Sequence, residues 1–563
     1  MKVSRIFVTV LVVLGLATGA APAKAEQNFI DQFLNRYRPA PIILPASPSE
    51  TRAQELADRI RNGQLPLTVG DVVTLMLENN LDIGVNRLSP RLSEYVIETL
   101  YRPFEPTLRL QATVNRNTSP STSQLTGAPS LRTLGGSYLV GYSQTLPTGT
   151  NVGVDFILNR NSSNSAFNTF NPAWSGNMRY SFNQHLLRDY GRLNNTSQIR
   201  IAQNNEKISA TQFEKQLIDL VAQAQRTYWD LVFTGEDVKV KQRSMDLAQK
   251  TLSDNEIQVR IGTLAPIDLV QAESEVASRN EQLVVSRYTQ AQTGDQVKKF
   301  ITFQADPGLV LANLVPMEGA RRPSPSDVLP PDQAIKVALE NRPEMRQLQL
   351  DLENKNIDLE STKNQLLPIV DLIGSYTQNG VGGIETLRSG FGPTAPIIAV
   401  NKGGVGDAFQ QLFGYNYTGY SIGISVQVPL RNRAAQGDNA RATTDKRLSE
   451  NRISAQAQQI ALEVRNALTQ VDMNRARIET AAKSRELTER RLEAEQKKFD
   501  LGASTIRFVL EEQRNVAQAE TNEIQALVNY AKALVDMDRA MGMTLKKNNI
   551  EIEKTLSASL NVR

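Results

Sequence analysis

The chain has 563 residues, of which 40% are apolar and only 6% aromatic, so it is long enough for several ordinary domains. It contains no cysteine and a single histidine, which excludes a thiol nucleophile, a disulfide framework and a Cys/His metal site. Its 63 basic and 59 acidic residues nearly balance, and nothing in that balance points to a nucleic-acid partner.

The N-terminus has the pattern of a cleaved secretory signal. Two basic residues precede the apolar core IFVTVLVVLGLA, and the small residues of AKA end at Ala25. The apolar run is shorter than the ~20 residues that a spanning helix needs, and without a cysteine the site cannot take a bacterial lipid anchor. We therefore predict a signal peptide over 1–25, cleaved before Glu26, and a Pro-rich periplasmic segment over 26–66. Cleavage leaves 60 basic against 59 acidic residues, a net charge of +1.

Similar segments recur in the same order about 240 to 262 residues apart, which indicates an internal duplication. The pairs are LPLTVGDVVTLMLENN (65–80) with VLPPDQAIKVALENRP (328–343), MRYSFNQHLL (178–187) with GISVQVPL (423–430), and VRIGTLAPIDLVQAESEV (259–276) with FDLGASTIRFVLEEQRNV (499–516). We predict a first repeat over 67–306, an equatorial Pro-rich linker over 307–330, a second repeat over 331–543 and a C-terminal tail over 544–563.

Each repeat opens with a predicted helix, over about 69–100 and 331–366, and continues with strands. Alternating apolar and polar residues predict these strands at 108–115, 138–142, 152–158, 178–182 and 420–428. A tilted strand of about 9–11 residues crosses a bilayer, but a soluble half-buried sheet has the same period of two, so alternation alone leaves both open. The stretches 115–133, 159–177 and 379–419 are predicted as exposed loops. Whether the pair over 137–158 joins a membrane barrel or packs as a separate hairpin stays open.

Two helices are predicted to be too long for an ordinary domain. Residues 195–260 and 434–500 contain no proline, and at ~1.5 Å per residue each extends roughly 100 Å. Their apolar residues keep the 4-3 spacing of a coiled-coil seam. The seam residues are Leu217, Val221, Ala224, Tyr228 and Leu231 in the first repeat, and Ile453, Ala457, Ile460, Val464, Ala467 and Val471 in the second. Shorter helices are predicted over 265–303 and 504–543. One of these and one opening helix, placed end to end, would be about as long as one long helix and could stack along it.

The ordered duplication resembles the TolC family of outer-membrane efflux proteins over nearly the whole mature chain. The resemblance rests on the two LEN openings, the strand-to-helix junctions SFNQHLLRDYGR and SVQVPLRNRAA, and the two glycine-containing hairpin tips. It implies a mainly α fold with a β membrane segment, in which long helical hairpins form a periplasmic α-barrel and strands from each protomer build a shared trimeric transmembrane β-barrel.

The family resemblance also implies a function and partners. It implies a channel of tripartite efflux or type I secretion that exports small molecules or proteins, docked to a periplasmic adaptor and an inner-membrane ABC or proton-driven pump. It implies neither catalysis nor a cofactor. The absence of a nucleotide-binding loop means that a partner must supply the energy for transport.

The resemblance assigns the hairpin tips, at Gly262 and Gly502, to the periplasmic entrance. Aligned on Gly502, the two carboxylate positions of the family are Phe508 and Glu511, so only the second keeps an acid, and Ser504 stands where some relatives carry a gating arginine. A ring of Phe508 would make an apolar constriction, and a ring of Glu511 would raise the local cation concentration.

Asp268 is the position after Gly262 that matches these carboxylates in the first repeat. The alternative for Asp268 and Glu511 is structural, because acids in the first turn of a helix offset its dipole. Pro266, at a first-turn position, favours that alternative for Asp268.

The remaining candidates are weaker. His185 lies at the first strand-to-helix junction, where the second repeat has Pro429. No Ser, Cys or carboxylate constellation is predicted around it, so we expect a structural or exposed role. Five aromatic residues flank the predicted strands and fit either an interfacial belt or ordinary strand packing. They are Trp174, Tyr180, Tyr415, Tyr417 and Tyr420.

Two other classes stay open at this point. The first is a periplasmic coiled-coil scaffold without a channel, which the bilayer-length strands argue against. The second is a secreted enzyme, against which stand the single histidine and the absence of recognisable catalytic motifs.

Overall fold

A computed structural model describes residues 63–551, with gaps at 122–128, 166, 263, 303–306, 325–326 and 391–394, and also residues 35, 37 and 60. Contacts divide the chain into a large unit, Glu50–Ile552, and a small one formed by the two termini. The account below concerns the large unit. The predicted signal peptide, most of the Pro-rich segment and the last 12 residues of the predicted tail lie outside the described residues.

The first repeat contains four strands of the large sheet, one long helix and one shorter helix, as well as a broken opening helix. Its elements are β1 (Gln64–Leu67), α1 (Val69–Asn79), α2 (Leu81–Asn86), α3 (Leu88–Leu100), β2 (Thr107–Pro120), β3 (Ser130–Thr145), β4 (Thr150–Ser163), β5 (Phe170–His185), α4 (Arg192–Asn195), α5 (Ser197–Arg260) and α6 (Pro266–Ile301). The long helix α5 has 64 residues, which is about 96 Å at 1.5 Å per residue.

The second repeat follows a connector that itself holds a short helix and a strand. The elements are α7 (Pro307–Leu311), β6 (Asn313–Pro316), α8 (Pro331–Asn341), α9 (Pro343–Gln365), β7 (Ile369–Arg388), β8 (Ile397–Lys402), α10 (Val405–Phe413), β9 (Tyr417–Gln427), α11 (Arg433–Asp500), α12 (Ile506–Ala540) and α13 (Thr544–Lys547). The predicted bounds of the long and short helices agree with α5, α6, α11 and α12 to within a few residues.

The opening helix of each repeat is broken, and the prediction of one continuous helix is wrong in both. Each break directly follows the LEN motif. Asn80 is extended and its side-chain oxygen accepts from the backbone of Asp82 at 2.9 Å, which caps the next helix. Arg342 is extended because it precedes Pro343. The motif that repeats in the sequence therefore marks a change of helix direction.

The predicted coiled-coil seam is confirmed. Tyr228 and Leu231 on α5 are almost fully buried, as are Ile460 and Val464 on α11. The α11 residues form one apolar cluster with α12 and with the small residues of α8. No helix among the described residues is long and apolar enough to cross a membrane.

Seven described strands, taken from both repeats, form one antiparallel sheet. Five of them follow the order β2-β3-β4-β5-β7. On the other side of β7, residues 369–379 pair with β9 and residues 384–388 pair with β8. The predicted pair over 137–158 is part of this sheet, since β3 and β4 lie between β2 and β5. The two repeats are thus unequal here, and β5 joins β7 across the repeat boundary.

Three stretches predicted as loops are partly strand and helix. β2 continues to Pro120, β4 to Ser163, and residues 379–419 hold the end of β7, then β8 and α10. The sequence prediction failed because these stretches are polar on both strand faces or rich in glycine, so they carry no period-two signal although their backbones continue the ladder.

The predicted linker over 307–330 contains β6, which pairs in parallel with β1. Leu65 and Leu314 of this pair are fully buried, and the Tyr228 hydroxyl donates to the Leu67 carbonyl at 3.1 Å. Burial raises the pKa of Tyr228 to about 12. The connection between the repeats is therefore tied to the side of the first long helix.

Candidate functional site

The two helical hairpins end in turns of the same kind. Gly262 follows α5 with φ +79°, and Gly502 follows α11 with φ +72°. These are left-handed conformations that close a helix and favour glycine. The two predicted tip glycines thus have the same conformational role.

The two tips lie at the same end of the helices. The Gln513 amide donates to the Thr251 hydroxyl at 3.4 Å, and Arg514 donates to Glu275 at 2.9 Å. These contacts join the first turns of α12 to α5 and α6, so the structure brings the two predicted entrance segments together.

The second tip is held by a small apolar core. Ile506, Val509 and Leu510 are buried, with Leu492 and Phe499 of α11 packed against them. The Ser504 hydroxyl donates to the Glu495 carboxylate. This hydrogen bond and the neighbouring Lys498 hold the pKa of Glu495 below its usual range. Ser504 therefore stabilises the turn.

Phe508 and Glu511 point away from that core. Phe508 is 50% exposed and Glu511 is also exposed, so both side chains are accessible in the protomer. Leu501, at the turn itself, is 84% exposed. The exposed surface of the second tip thus combines the apolar Leu501 and Phe508 with the charged Arg507 and Glu511.

Asp268 lies in the first turn of α6 and is half-buried. Four apolar side chains near it in the sequence are more than half exposed, so apolar groups form part of the surface of this tip. They are Ile257, Ile261, Ile267 and Val270. Asp268 is placed where the helix dipole favours an acid, and it is also at the tip.

A buried ion-pair group near the tips was not predicted from the sequence. Glu275 accepts from Arg279 at 2.6 Å and from Arg514 of the other hairpin at 2.9 Å, and the Arg279 side chain is only 3% exposed. Arg279 and Glu275 are one helical turn apart, a spacing that is common on solvated helices, so only the packing of the second hairpin shows that this pair is buried.

The sheet has two chemically different faces. Across β2 to β9 one set of alternate residues, here called the apolar face, is largely apolar, with Arg116, Arg132 and Arg160 towards one end of the strands. Its exposed apolar members include Leu108, Leu110, Val140, Tyr142, Tyr180, Phe182, Tyr420, Ile422 and Ile424, and Phe156 is half-buried on the same face. The opposite set, the polar face, carries Arg109 near Asp155 at 4.0 Å and Asn177 bound to Asn379 at 2.7 Å, with Leu139, Ile157 and Ile373 as apolar exceptions.

Tyrosines form a row across the apolar face. Register partners across six strands are Leu108, Tyr142, Val154, Tyr180, Tyr376 and Tyr420. The rings of Tyr180 and Tyr376 are 6.2 Å apart. Trp174 lies six residues from Tyr180, about 20 Å along the strand, and the Arg160 guanidinium lies 5.8 Å from its ring. Of the five predicted aromatic residues, two belong to this row.

One carboxylate, which the sequence does not predict, lies beside His185. His185 ends β5, and its Nδ1 lies 2.7 Å from Asp371 at the start of β7. The two residues are 186 positions apart, so only the pairing of β5 with β7 reveals the contact. Pro429 lies exposed in the second junction. Among the described residues no group of acids and the histidine has the arrangement of a metal site.

Comparison with known proteins gives a family match for the second repeat. Residues 334–543, which cover the second repeat, match the family described as outer membrane efflux protein. The chain carries an outer membrane efflux protein domain. The resemblance to outer-membrane efflux proteins is confirmed for that domain by sequence. No curated protein sequence matches the chain.

Solved structures extend the likeness of the efflux protein domain to the whole fold. A membrane protein from Pseudomonas aeruginosa is 15% identical with a TM-score of 0.60, and the superposition covers 86% of this chain and 91% of that protein. The Campylobacter jejuni CmeC outer membrane channel is 15% identical, with a TM-score of 0.58 and coverage of 88% and 89%. Vibrio cholerae VceC is 12% identical, with a TM-score of 0.57 and coverage of 88% and 99%. At these identities the likeness establishes the fold.

Proposed function

We propose that this chain is the outer-membrane channel of an export system, made as a precursor whose signal peptide is removed near Ala25. The observation that carries the proposal is the open sheet with one apolar and one polar face. An apolar face of this kind fits lipid, and a polar face fits a water-filled lumen. The helices of both repeats, 67–306 and 331–543, would form the large periplasmic portion.

The sheet edges favour closure with other copies. Among the described residues β2 pairs only with β3, and β9 pairs only with β7, so each strand has one free edge. Unpaired backbone groups are very costly in hydrocarbon, so a membrane-embedded sheet must close on itself or on neighbours. In a homotrimer, β2 of one copy would pair with β9 of the next. The six strands β2, β3, β4, β5, β7 and β9 of each of three copies would then make an eighteen-stranded barrel, with β8 outside that wall.

The trimer predicts a heat-sensitive assembly. A detergent extract run unheated on a denaturing gel should show a species of high mass, and heating should convert it to the 62.4 kDa chain or its processed form. Closed barrels resist detergent because every backbone bond of the wall is satisfied. A single monomer band before heating, confirmed by light scattering in mild detergent, would contradict the trimer.

The transported material would pass from an inner-membrane ABC or proton-driven pump through a periplasmic adaptor into the channel. The exported class would be small molecules or proteins. The adaptor would meet the hairpin tips, whose surfaces carry exposed apolar side chains such as Ile261 and Leu501. No part of this role requires catalysis.

At the entrance, Phe508 would narrow the lumen and Glu511, with Asp268 beside it, would attract cations. Changing Glu511→Lys should therefore lower the cation preference of single channels in planar bilayers, because three positive charges would replace three negative ones at the constriction. The exposed Glu479 on α11, well away from the tip, provides the control Glu479→Lys. Equal selectivity of the Glu511→Lys and unmodified channels would remove Glu511 from the entrance.

The alternative is an elongated periplasmic coiled-coil scaffold without a channel. The wide, exposed apolar face of the sheet favours the channel, because a soluble protein rarely leaves so continuous a patch uncovered. Membrane fractionation distinguishes the two, since a scaffold would be released with the soluble periplasmic proteins.

A further inference from the structure

The loop end of the sheet, where β2 joins β3 and β4 joins β5, carries a group of arginines on the apolar face. Arg116 of β2, Arg132 of β3 and Arg160 of β4 lie on three neighbouring strands, and the register places all of them on the same face as the tyrosine row. Arg116 and Arg132 are exposed, and Arg160 is half-buried. These three residues are here called the arginine patch.

The arginine patch is compact. Arg116 and Arg132 are diagonal neighbours on paired strands, with Cβ atoms about 7–8 Å apart. Arg160 lies two strands and two residues away from Arg116, which is about 12 Å by the spacing of strands and residues. Because arginine side chains are long, the three guanidinium groups can reach a single ligand of this size.

The sheet does not neutralise the charge of the patch. The ion pairs described on the strands both lie on the polar face. The loop-end segments 114–134 and 158–174, which contain the three arginines, have no acidic residue. The patch is therefore a local excess of positive charge that attracts anions.

Helix α10 leaves the patch open. It packs against β5 and β7, where a Cβ at Gly380 would lie 2.1 Å from the Ala408 carbonyl oxygen. The acids on this side of the sheet have hydrogen-bond partners of their own. Glu385 accepts from Asn401 at 2.8 Å, and Asp407 accepts from a backbone N–H at the start of α10 at 2.7 Å.

Two aromatic side chains lie at the boundary between the patch and the apolar rows. Trp174 is the register partner of Arg160, whose guanidinium lies 5.8 Å from its ring. Tyr138 leans over Gly136 towards the loop end, since a Cβ at Gly136 would lie 3.4 Å from the Tyr138 hydroxyl. Trp and Tyr with one apolar and one polar end are typical of the interface between membrane and water.

The height of the patch fits the start of a headgroup layer. Gly382 shares a register row with Arg160, and Val370, towards the helical end of the apolar face, lies 12 residues before Gly382. That length of strand extends about 40 Å, or about 30 Å of height at a tilt of about 40°. The apolar band of a transmembrane barrel is about 25 Å tall, so the patch would lie just beyond its margin.

We propose that the arginine patch binds the phosphorylated headgroups of lipids in the membrane leaflet that faces away from the long helices. The proposal rests on the proposed function, because it requires the apolar face to meet lipid. A guanidinium binds phosphate through two parallel hydrogen bonds. One basic residue near a membrane surface raises the affinity for anionic lipid about fivefold, so three in one patch select strongly for such lipids.

Another copy of the chain is the competing occupant, and its charge does not fit. In the proposed trimer, β9 of the neighbouring copy would lie beside β2 and therefore close to Arg116. Residues 408–430, which include β9, contain no acid. This part of the neighbour would bring no carboxylate to the patch, whereas a lipid phosphate supplies the missing charge.

The two tryptophans of the chain allow the lipid at the patch to be identified by fluorescence. Trp229 lies on α5, so Trp229→Phe leaves Trp174, beside Arg160, as the only tryptophan. This full chain is reconstituted in vesicles of equal parts phosphatidylcholine and phosphatidic acid, in which one lipid or the other carries brominated acyl chains. Bromine quenches tryptophan on contact, so the ratio of the two quenching levels gives the relative affinity of the two lipids at the patch.

We expect phosphatidic acid to be favoured at least about fivefold over phosphatidylcholine beside Trp174. Arg116→Gln, Arg132→Gln and Arg160→Gln, made together, should remove this preference. A matched control, which removes three exposed arginines of α11 and should keep the preference, consists of Arg465→Gln, Arg477→Gln and Arg491→Gln. The heat-sensitive assembly on an unheated gel shows that each variant is folded.

A second reporter separates failure of this proposal from failure of the proposed function. Leu110→Trp, in a chain with both natural tryptophans changed to Phe, reports the middle of the apolar face. If lipid quenches this tryptophan but Trp174 is unquenched or shows no preference, the lipid-binding role of the patch is overturned and the channel stands. A lack of quenching in Leu110→Trp would refute the membrane placement of the sheet, and both proposals with it.

Two further results would overturn the lipid-binding role alone. The first is a preference that persists in the variant without the three arginines. The second is loss of the preference when inorganic phosphate replaces chloride at the same ionic strength, which would assign the patch to soluble anions.

Discussion

Changing Leu110→Arg should abolish or strongly reduce assembly of the proposed channel in the membrane, whereas Gln111→Arg on the same strand should be tolerated. Leu110 belongs to the apolar face, one register row beyond the tyrosine row, and is 47% exposed in the protomer. An arginine facing lipid costs about 2–4 kcal/mol near the middle of the bilayer and less towards the interfaces. The cost would apply once in each protomer of the assembly.

Gln111 is the matched control because successive strand residues point to opposite faces. Its side chain would face the lumen, where water solvates a guanidinium at little cost. The measurement is the yield of the heat-sensitive assembly in the membrane fraction for each variant. Equal yields would show that the apolar face does not meet lipid, and a defect confined to Gln111→Arg would reverse the assignment of the two faces.

Removal of the Arg342 side chain should cause the largest loss of stability in the helical part. Its guanidinium donates to both oxygens of Glu344, at 2.9 and 3.2 Å, and to Glu463 of α11. The side chains of Arg342 and Glu344 are only 11% and 13% exposed, and Lys215 of α5 lies 3.6 Å from Glu344. The group joins three helices at the break that follows the LEN motif of the second repeat.

Arg342→Met should therefore lower the free energy of unfolding by about 3–5 kcal/mol, since it leaves buried carboxylates without their cation. Thermal unfolding in detergent measures the effect. The control is Arg441→Met on α11, which loses an exposed pair with Asp445 and should change stability by no more than about 1 kcal/mol. If Arg342→Met were as harmless as its control, the buried group would have no structural role.

The same group predicts a loss of stability in acid. Burial raises the pKa of Glu344 and of Glu463, but the hydrogen bonds and charge of Arg342 outweigh burial and hold both pKa values below the ordinary 4.5. The stabilising contribution is therefore complete above the pKa of the unfolded chain and falls away as the pH drops through the lower values of the folded protein. Arg342→Met should remove this part of the acid sensitivity.

Much of the helical architecture is predictable from residue spacing because each long helix buries a continuous seam. Val221, Ala224 and Tyr228 recur with the period of a coiled coil, and no proline interrupts them, so both the type and the length of α5 follow from local sequence. The same holds for Gly262 and Gly502, since a glycine between two helical patterns indicates a turn.

The sheet was predictable only where its two faces differ in polarity. Tyr420, Ile422 and Ile424 alternate with small polar residues, and this alternation identified β9. No part of β7 is predicted as a strand, because its glycines and polar residues give no clear alternation, although it is the strand that joins the two repeats. Backbone hydrogen bonds, which every residue type except proline can donate, hold such a strand in place.

Of the candidate site, the sequence by itself placed Phe508, Glu511 and Asp268 at helix starts beside two glycine turns, because turn and helix signals are local. Only the tertiary structure decided that the two tips lie together through Arg514 and Glu275, that His185 meets Asp371, and that α10 folds back onto Gly380. These contacts join residues from about 30 to 240 positions apart. Periodicity reports which side of an element is buried, but not which distant element covers it, and that choice depends on the packing of the whole chain.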